Sequence, residues 1–275
     1  MERIKQALER AEKDRKYQPQ TDRVVEALPP TGRGNVPVES GEDRDIQFEV
    51  TRSIPVDGKT LERNRIRPPG ADDEVARAYD LLASRVVDRA SANGWNSIAV
   101  VSPVGGDGKS VTALNLAIRL VASPARTCLL VDLDFRRPKI AEYLGVSPQY
   151  GIEDVLRAKA SVSETLFSPG IPRLSVLPVR QPVDTPGGLI DSMAASELAQ
   201  EAKQRYANRI VLFDMPPVLG SGDTVHFLRN VDAVLVIAAS GRTSESAIQE
   251  TLSTLAGHNV VGCVLNCAED TLTAY

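Results

Sequence analysis

The chain has 275 residues, 42% hydrophobic and 25% charged, enough for a full core in one large domain with an extension. A formal net charge of -4 lacks the dense positive field of a nucleic-acid binder, so no nucleic-acid partner is expected. Cys128, Cys263 and Cys267 fit reduced thiols better than a disulfide framework, and no apolar run approaches the ~18 residues of a membrane span, which points to a cytoplasmic protein with at most peripheral membrane association.

Residues 1–71 are polar and proline-rich and read as a largely disordered extension. Within it Ile4, Ala7, Leu8 and Ala11 fall at helical spacing with Glu, Lys and Arg opposite, giving a short amphipathic helix that either frays or docks on a partner. A strand within QFEVTRSI, from Gln47, has no further support. A folded domain is expected over 72–268, followed by a flexible tail over 269–275.

Asp72, Asp73 and Glu74 suit a helix start, and Val75, Tyr79, Leu82 and Val86 form one stripe of a helix ending near Asn93-Gly94. Strand SIAVVS (97–102), a glycine loop, a helix through Leu120 and strand TCLLVDLD (127–134) follow. Helical segments are expected around 141–144 and 152–166, then strand RLSVLPV (173–179) and a helix from about 187 to 206. Strands RIVLFDMPP (209–217) and VDAVLVIAAS (231–240), a helix over 244–256 and strand VVGCVLN (260–266) complete the chain. Strands apolar on both faces and separated by helices predict an α/β fold: a doubly wound, mostly parallel sheet that binds ligand beyond the carboxyl ends of its strands.

The loop VSPVGGDGKS (101–110) lies between a buried strand and a helix, the context in which a glycine motif grips phosphate. Gly105, Gly106 and Gly108 can take positive φ and turn backbone N–H groups toward phosphate oxygens at the helix N-terminus. Lys109 then reaches the β- and γ-phosphates, and the Ser110 hydroxyl holds Mg²⁺. Asp132 and Asp134, two apart at a strand end, project to one face and suit a Mg²⁺ or nucleophile-activating site. Asp214 ends another buried strand before Pro216-Pro217, as a Mg²⁺-orienting acid would.

In this order the motifs resemble the cytoplasmic ATPase domain of bacterial tyrosine autokinases, the family tied to capsule and exopolysaccharide export. The resemblance covers about residues 74 to 267 and is carried by SPVGGDGKS, LLVDLDFRRPKI and VLFDMPPVL, supported by LSVLPV, VDAVLVI and GCVLN. The start MERIKQALER is similar to soluble autokinases encoded beside exopolysaccharide loci.

This resemblance implies a P-loop NTPase fold of the deviant Walker A type that uses ATP and Mg²⁺. It assigns the nucleotide to Gly105, Gly106, Asp107, Gly108, Lys109, Ser110 and Val111, and the metal to Ser110, Asp134 and Asp214. Asp132 becomes the acceptor of the attacking hydroxyl's proton. Asn266 either meets the adenine edge or is a buried turn residue. Tyr275 is either the phosphoacceptor or a terminal tyrosine without a role. Division-site and partition ATPases carry an extra lysine where this chain has Val104, so the transferring phosphoryl charge falls to Lys109, Mg²⁺ and an arginine, either Arg136, Arg137 or one from another subunit.

The family's ring-forming E-x-x-R-x-x-R reads here Glu74-Val-Ala-Arg77-Ala-Tyr-Asp80. Glu74 and Arg77 are candidate contacts of a homo-oligomer, or an ion pair on a solvated helix face. The implied membrane partner is a separate polysaccharide chain-length regulator, contacted by the N-terminal extension. An alternative activity is an ATPase switch of the same fold that transfers no phosphate to tyrosine.

Overall fold

The computed structural model describes residues 51–205 and 208–268. Strand β1 (Arg52–Ser53) and helix α1 (Gly58–Arg63) precede α2 (Glu74–Asn93), β2 (Ser97–Val101), α3 (Lys109–Leu120) and β3 (Thr127–Asp132). Short helices α4 (Ile140–Leu144), α5 (Ile152–Leu156) and α6 (Val162–Thr165) lead to β4 (Phe167–Ser168) and β5 (Leu174–Leu177). Helices α7 (Gly187–Ile190) and α8 (Met193–Gln204), strand β6 (Arg209–Asp214), α9 (Gly222–Phe227), β7 (Ala233–Ala239), α10 (Glu245–Thr254) and β8 (Val260–Asn266) follow.

The eight strands form one sheet in the order β1-β4-β5-β3-β6-β2-β7-β8, parallel throughout except for the antiparallel pair β4 and β5. This is the expected mostly parallel α/β sheet. Alternation along each strand sorts the core into two layers. Ile98, Val100, Leu130, Leu212 and Leu235 pack with Val86 of α2 and Leu114 of α3 on one face. Ala99, Val101, Val131, Phe213 and Val236 pack with Ala195 and Ala199 of α8 on the other. Because the chain passes from β2 to β3 across the intervening β6, the loop leaving β2 opens beside the carboxyl ends of both β3 and β6.

Local chemistry sets the element ends. Asp73 caps α2, its carboxylate accepting from the Ala76 N–H at 2.7 Å, and Gly94 closes the helix at φ 69°. The single helix expected over 152–166 is two helices, because Ala158 takes φ 55° and Ser161 starts a new N-cap. The helix expected from 187 to 206 is likewise broken, by Ser192, whose hydroxyl accepts from the Ala195 N–H at 3.1 Å. Residues 206 and 207 lie outside the described residues, as do the amphipathic segment from Ile4 to Ala11 and the tail 269–275.

The largest difference from the sequence expectation lies at 51–71, placed there in the disordered extension apart from the strand within QFEVTRSI, where β1 forms at Arg52–Ser53. This segment adds β1 to the sheet edge and straps α1 across the core, burying Leu61 and Ile66. The fully buried Asn115 of α3 clamps it, accepting from the Arg67 N–H at 2.8 Å and donating to the Arg65 carbonyl at 3.1 Å. With α2 and this strap on its outer side, α3 is buried on nearly every face, its polar Thr112, Asn115 and Arg119 included.

Candidate active site

The loop after β2 closes on itself before α3 begins. Ser102 Oγ donates to the Val104 carbonyl at 2.7 Å, and the buried Asp107 carboxylate turns back toward the Val104 N–H at 3.4 Å rather than outward. Gly106 and Gly108 adopt φ 92° and 88°, where an L side chain is strained. Gly105 does not take positive φ, and a Cβ there would sit in ordinary contact, 3.6 Å from Arg137 Nη1 and 3.9 Å from Pro217 Cγ. A Cβ on Gly108 would run into Asn266 Nδ2, which donates to the Asp107 carbonyl at 2.9 Å. Asn266 thus braces the phosphate loop from the end of β8.

Below the loop three aspartates surround one lysine. Lys109, the first residue of α3, places Nζ 2.7 Å from Asp134 Oδ2, with both side chains nearly buried. Strand β3 stops at Asp132, two residues earlier than expected, because both of its carboxylate oxygens bond the chain beyond it. Oδ1 accepts from the Asp134 N–H at 3.0 Å and Oδ2 from the Ile140 N–H at 3.3 Å. A turn, rather than strand alternation, therefore carries Asp134 to Lys109. Asp132 and Asp214 are cross-strand partners on β3 and β6, and both are completely buried.

The electrostatics follow from that crowding. Burial, reinforced by the Asp214 charge, holds the Asp132 carboxyl well above the usual carboxylate range. Burial likewise pushes Asp214 up to about 6, although Lys109 and the nearby Ser110 hydroxyl oppose the shift. Burial alone would lower the Lys109 ammonium; Asp214, Asp134 and Asp132 outweigh it and raise the group above its ordinary value. Lys109 is therefore charged at neutral pH.

A cavity of about 550 Å³ lies over this cluster. Gly105, Gly106, Gly108, Lys109, Ser110, Val111 and Asp134 line it, together with Arg136, Arg137, Lys139, Tyr143 and residues 216–217 and 219–221. Asp132 and Asp214 lie behind its wall, and Asp107 and Asn266 do not line it. Both Asp214 oxygens are buried without a hydrogen-bond partner, a state that a divalent cation would relieve. Among the described residues, no three His, Cys, Asp or Glu side chains form a metal-binding group. The unpartnered Asp214 carboxylate beside the Ser110 hydroxyl still fits Mg²⁺, which commonly takes one or two carboxylates and completes its shell with water and substrate phosphates.

The candidate oligomer residues stand apart from this cavity. Glu74 and Arg77 are exposed at the start of α2, and Arg77 Nη1 pairs with Asp72 Oδ1 at 3.0 Å rather than with Glu74. Asp80, where the family motif has arginine, faces α3 and lies 3.6 Å from Nε of the buried Arg119. Arg242 was not anticipated from sequence: a Cβ on Gly106 would fall 2.8 Å from its Nη2. Its position just past β7, at a carboxyl end of the sheet, is the signal that could have flagged it. Tyr275 lies outside the described residues.

No family model matches the chain. It is 27% identical over 212 residues to the tyrosine-protein kinase YwqD of Bacillus subtilis, covering 76% of this chain and 88% of that one. Over 175 residues it is 29% identical to the succinoglycan biosynthesis transport protein ExoP of Rhizobium meliloti, covering 62% of this chain but only 22% of ExoP's length. The kinase domain of the Escherichia coli tyrosine kinase ETK has the same fold, with a TM-score of 0.66 at 22% identity, covering 82% of this chain and 92% of that one. The likeness to a bacterial tyrosine-protein kinase thus takes in three quarters of the chain, which holds a lysine among strand-end aspartates beneath a glycine loop.

Proposed function

We propose that this protein is an ATP-dependent tyrosine autokinase of a capsule or exopolysaccharide system, using Mg²⁺ and working with a separate membrane protein of the chain-length-regulator type. The observation that carries the reading is the buried cluster of Lys109 with Asp132, Asp134 and Asp214 under a phosphate loop. The names of YwqD and ExoP support the activity and the setting.

The loop backbone from Gly105 to Ser110 holds the phosphates at the N-terminus of α3, where aligned N–H groups favour negative charge. Ser110 and Asp214 would hold Mg²⁺, with Asp134 beside them; the ion supplies neutralisation of charge on the bridging and transferring oxygens. Lys109 carries its own positive charge to the same oxygens. Of the three carboxylates only Asp134 lines the cavity, and Asp132 sits directly behind it, bonded to its N–H. The acceptor hydroxyl's proton is assigned to this couple, Asp134 being the member that meets the hydroxyl. The tyrosyl oxygen forms a bond to the γ-phosphorus as the bond to ADP breaks, and Tyr275 of a neighbouring copy is the proposed acceptor.

The same cavity would serve water in an ATPase switch. Val104, 40% exposed on the loop, occupies the position that carries lysine in partition-type relatives, which favours the kinase reading. Incubation with γ-labelled ATP and Mg²⁺, followed by intact mass and peptide mapping, separates the two. Phosphate on Tyr275, lost in Tyr275→Phe, is the expected result; free phosphate with an unmodified chain would establish the switch. Lys109→Met should lower either turnover by about 100-fold or more.

A further inference from the structure

We propose that Arg137 is a catalytic residue supplied within the same chain, whose guanidinium meets the transferring phosphoryl group; this rests on the phosphoryl-transfer reading above. Four cationic side chains border the loop, and their surroundings distinguish them. Lys139 is engaged, its Nζ lying 2.6 Å from Glu142 Oε2. Arg242 approaches Gly106 but does not line the cavity. Arg136 lines it, yet it is not among the atoms nearest the loop glycines. Arg137 both lines the cavity and reaches across it, with Nη1 3.6 Å from the point where a Gly105 Cβ would stand.

Its base is fixed by the same carboxylate that holds Lys109. The Arg137 N–H donates to Asp134 Oδ1 at 3.1 Å while Asp134 Oδ2 receives Lys109 Nζ at 2.7 Å. Asp134 therefore sets the spacing between the lysine and the arginine. Among the described residues no ion pair occupies the Arg137 guanidinium, so an incoming anion has no carboxylate to displace. Lys109 stands at the helix end of the loop and Arg137 at the Gly105 end. A phosphoryl group seated between them is met by cations on two sides.

In the transfer, the acceptor oxygen bonds to the γ-phosphorus, the γ-phosphorus bond to the ADP oxygen breaks with its electron pair leaving on ADP, and the hydroxyl proton passes to the Asp132–Asp134 couple. Charge spreads over the equatorial oxygens during this exchange, and a rigid planar donor there stabilises the transition state more than the ground state.

The test compares full-length wild type, Arg137→Ala, Arg137→Lys and Arg136→Ala. Affinities for Mg²⁺-ADP and for Mg²⁺-ADP-aluminium fluoride, a mimic of the transferring group, are measured alongside turnover of Mg²⁺-ATP. Arg137→Ala should keep its ADP affinity within about 3-fold while losing about 100-fold in kcat and a comparable part of its preference for the fluoride complex, with partial rescue in Arg137→Lys. An unchanged preference for the fluoride complex in Arg137→Ala, or an equal loss in Arg136→Ala, would overturn the assignment. Preserved ADP affinity shows that the variant is folded. Phosphotyrosine formation by the wild type tests the kinase reading separately, because the preference for the fluoride complex does not depend on whether tyrosine or water is the acceptor.

Discussion

Asp132 and Asp214 lie side by side on adjacent parallel strands, in register and with no exposed surface, although each is a carboxylate. Two such groups cannot both ionise cheaply in a dry interior, and Lys109 is the nearest compensation. The pair is therefore a source of instability unless a cation is nearby.

That instability has a definite pH dependence. Asp214 is raised by burial from 3.8 to about 6, so the folded state binds its proton more readily than the unfolded chain does. Its contribution is fully present below about pH 4 and is lost as pH rises toward 6, and Asp132, also raised, acts in the same direction. In metal-free, nucleotide-free protein, urea unfolding between pH 4 and 6 should show this group costing up to about 3 kcal/mol. Asp214→Asn should flatten that part of the profile; an identical profile in the variant would mean that Asp214 is ionised throughout.

Gly108→Ala should impair nucleotide binding out of proportion to one methyl group. The residue has φ 88°, and its Cβ would meet the Asn266 amide that braces the Asp107 carbonyl. Backbone strain of about 1–2 kcal/mol plus loss of the brace predicts at least 10-fold weaker ADP binding by calorimetry. Asn266→Ala should relieve the collision without relieving the strain, so the double variant should recover only part of the affinity.

Asn115→Leu should loosen the strap formed by residues 51–71. The substitution leaves the Arg67 N–H and the Arg65 carbonyl without their buried partner, at a cost of about 1–3 kcal/mol. Trypsin should then cut faster after Arg63 and Arg65 than in the wild type, before the rest of the domain is lost. Cutting at the wild-type rate would show that Leu61 and Ile66 hold the strap unaided.

The alternating strands were legible because the central ones are apolar on both faces, and the phosphate loop was legible because strand, glycines and Lys109 are contiguous. The strap was not, since its burial rests on Leu61 and Ile66 within a polar, proline-rich stretch, and its clamp, Asn115, sits inside a buried helix about fifty residues away. The early end of β3 escaped because side chain to backbone bonds from Asp132, rather than hydrophobic period, stop the strand. Asn266 was named from sequence as an adenine contact or a turn residue rather than as a brace for the loop, and the sheet order brings it and Arg242, just past β7, to the loop.

The sheet order also gives the domain a polarity. The strand built from residues 52–53 lies at one edge and the strand ending at Asn266 at the other, with six strands between them, or about 34 Å across seven ordinary interstrand spacings. The described chain therefore enters the sheet at one margin and leaves it at the opposite one, with the phosphate loop and its aspartates on the strands between them.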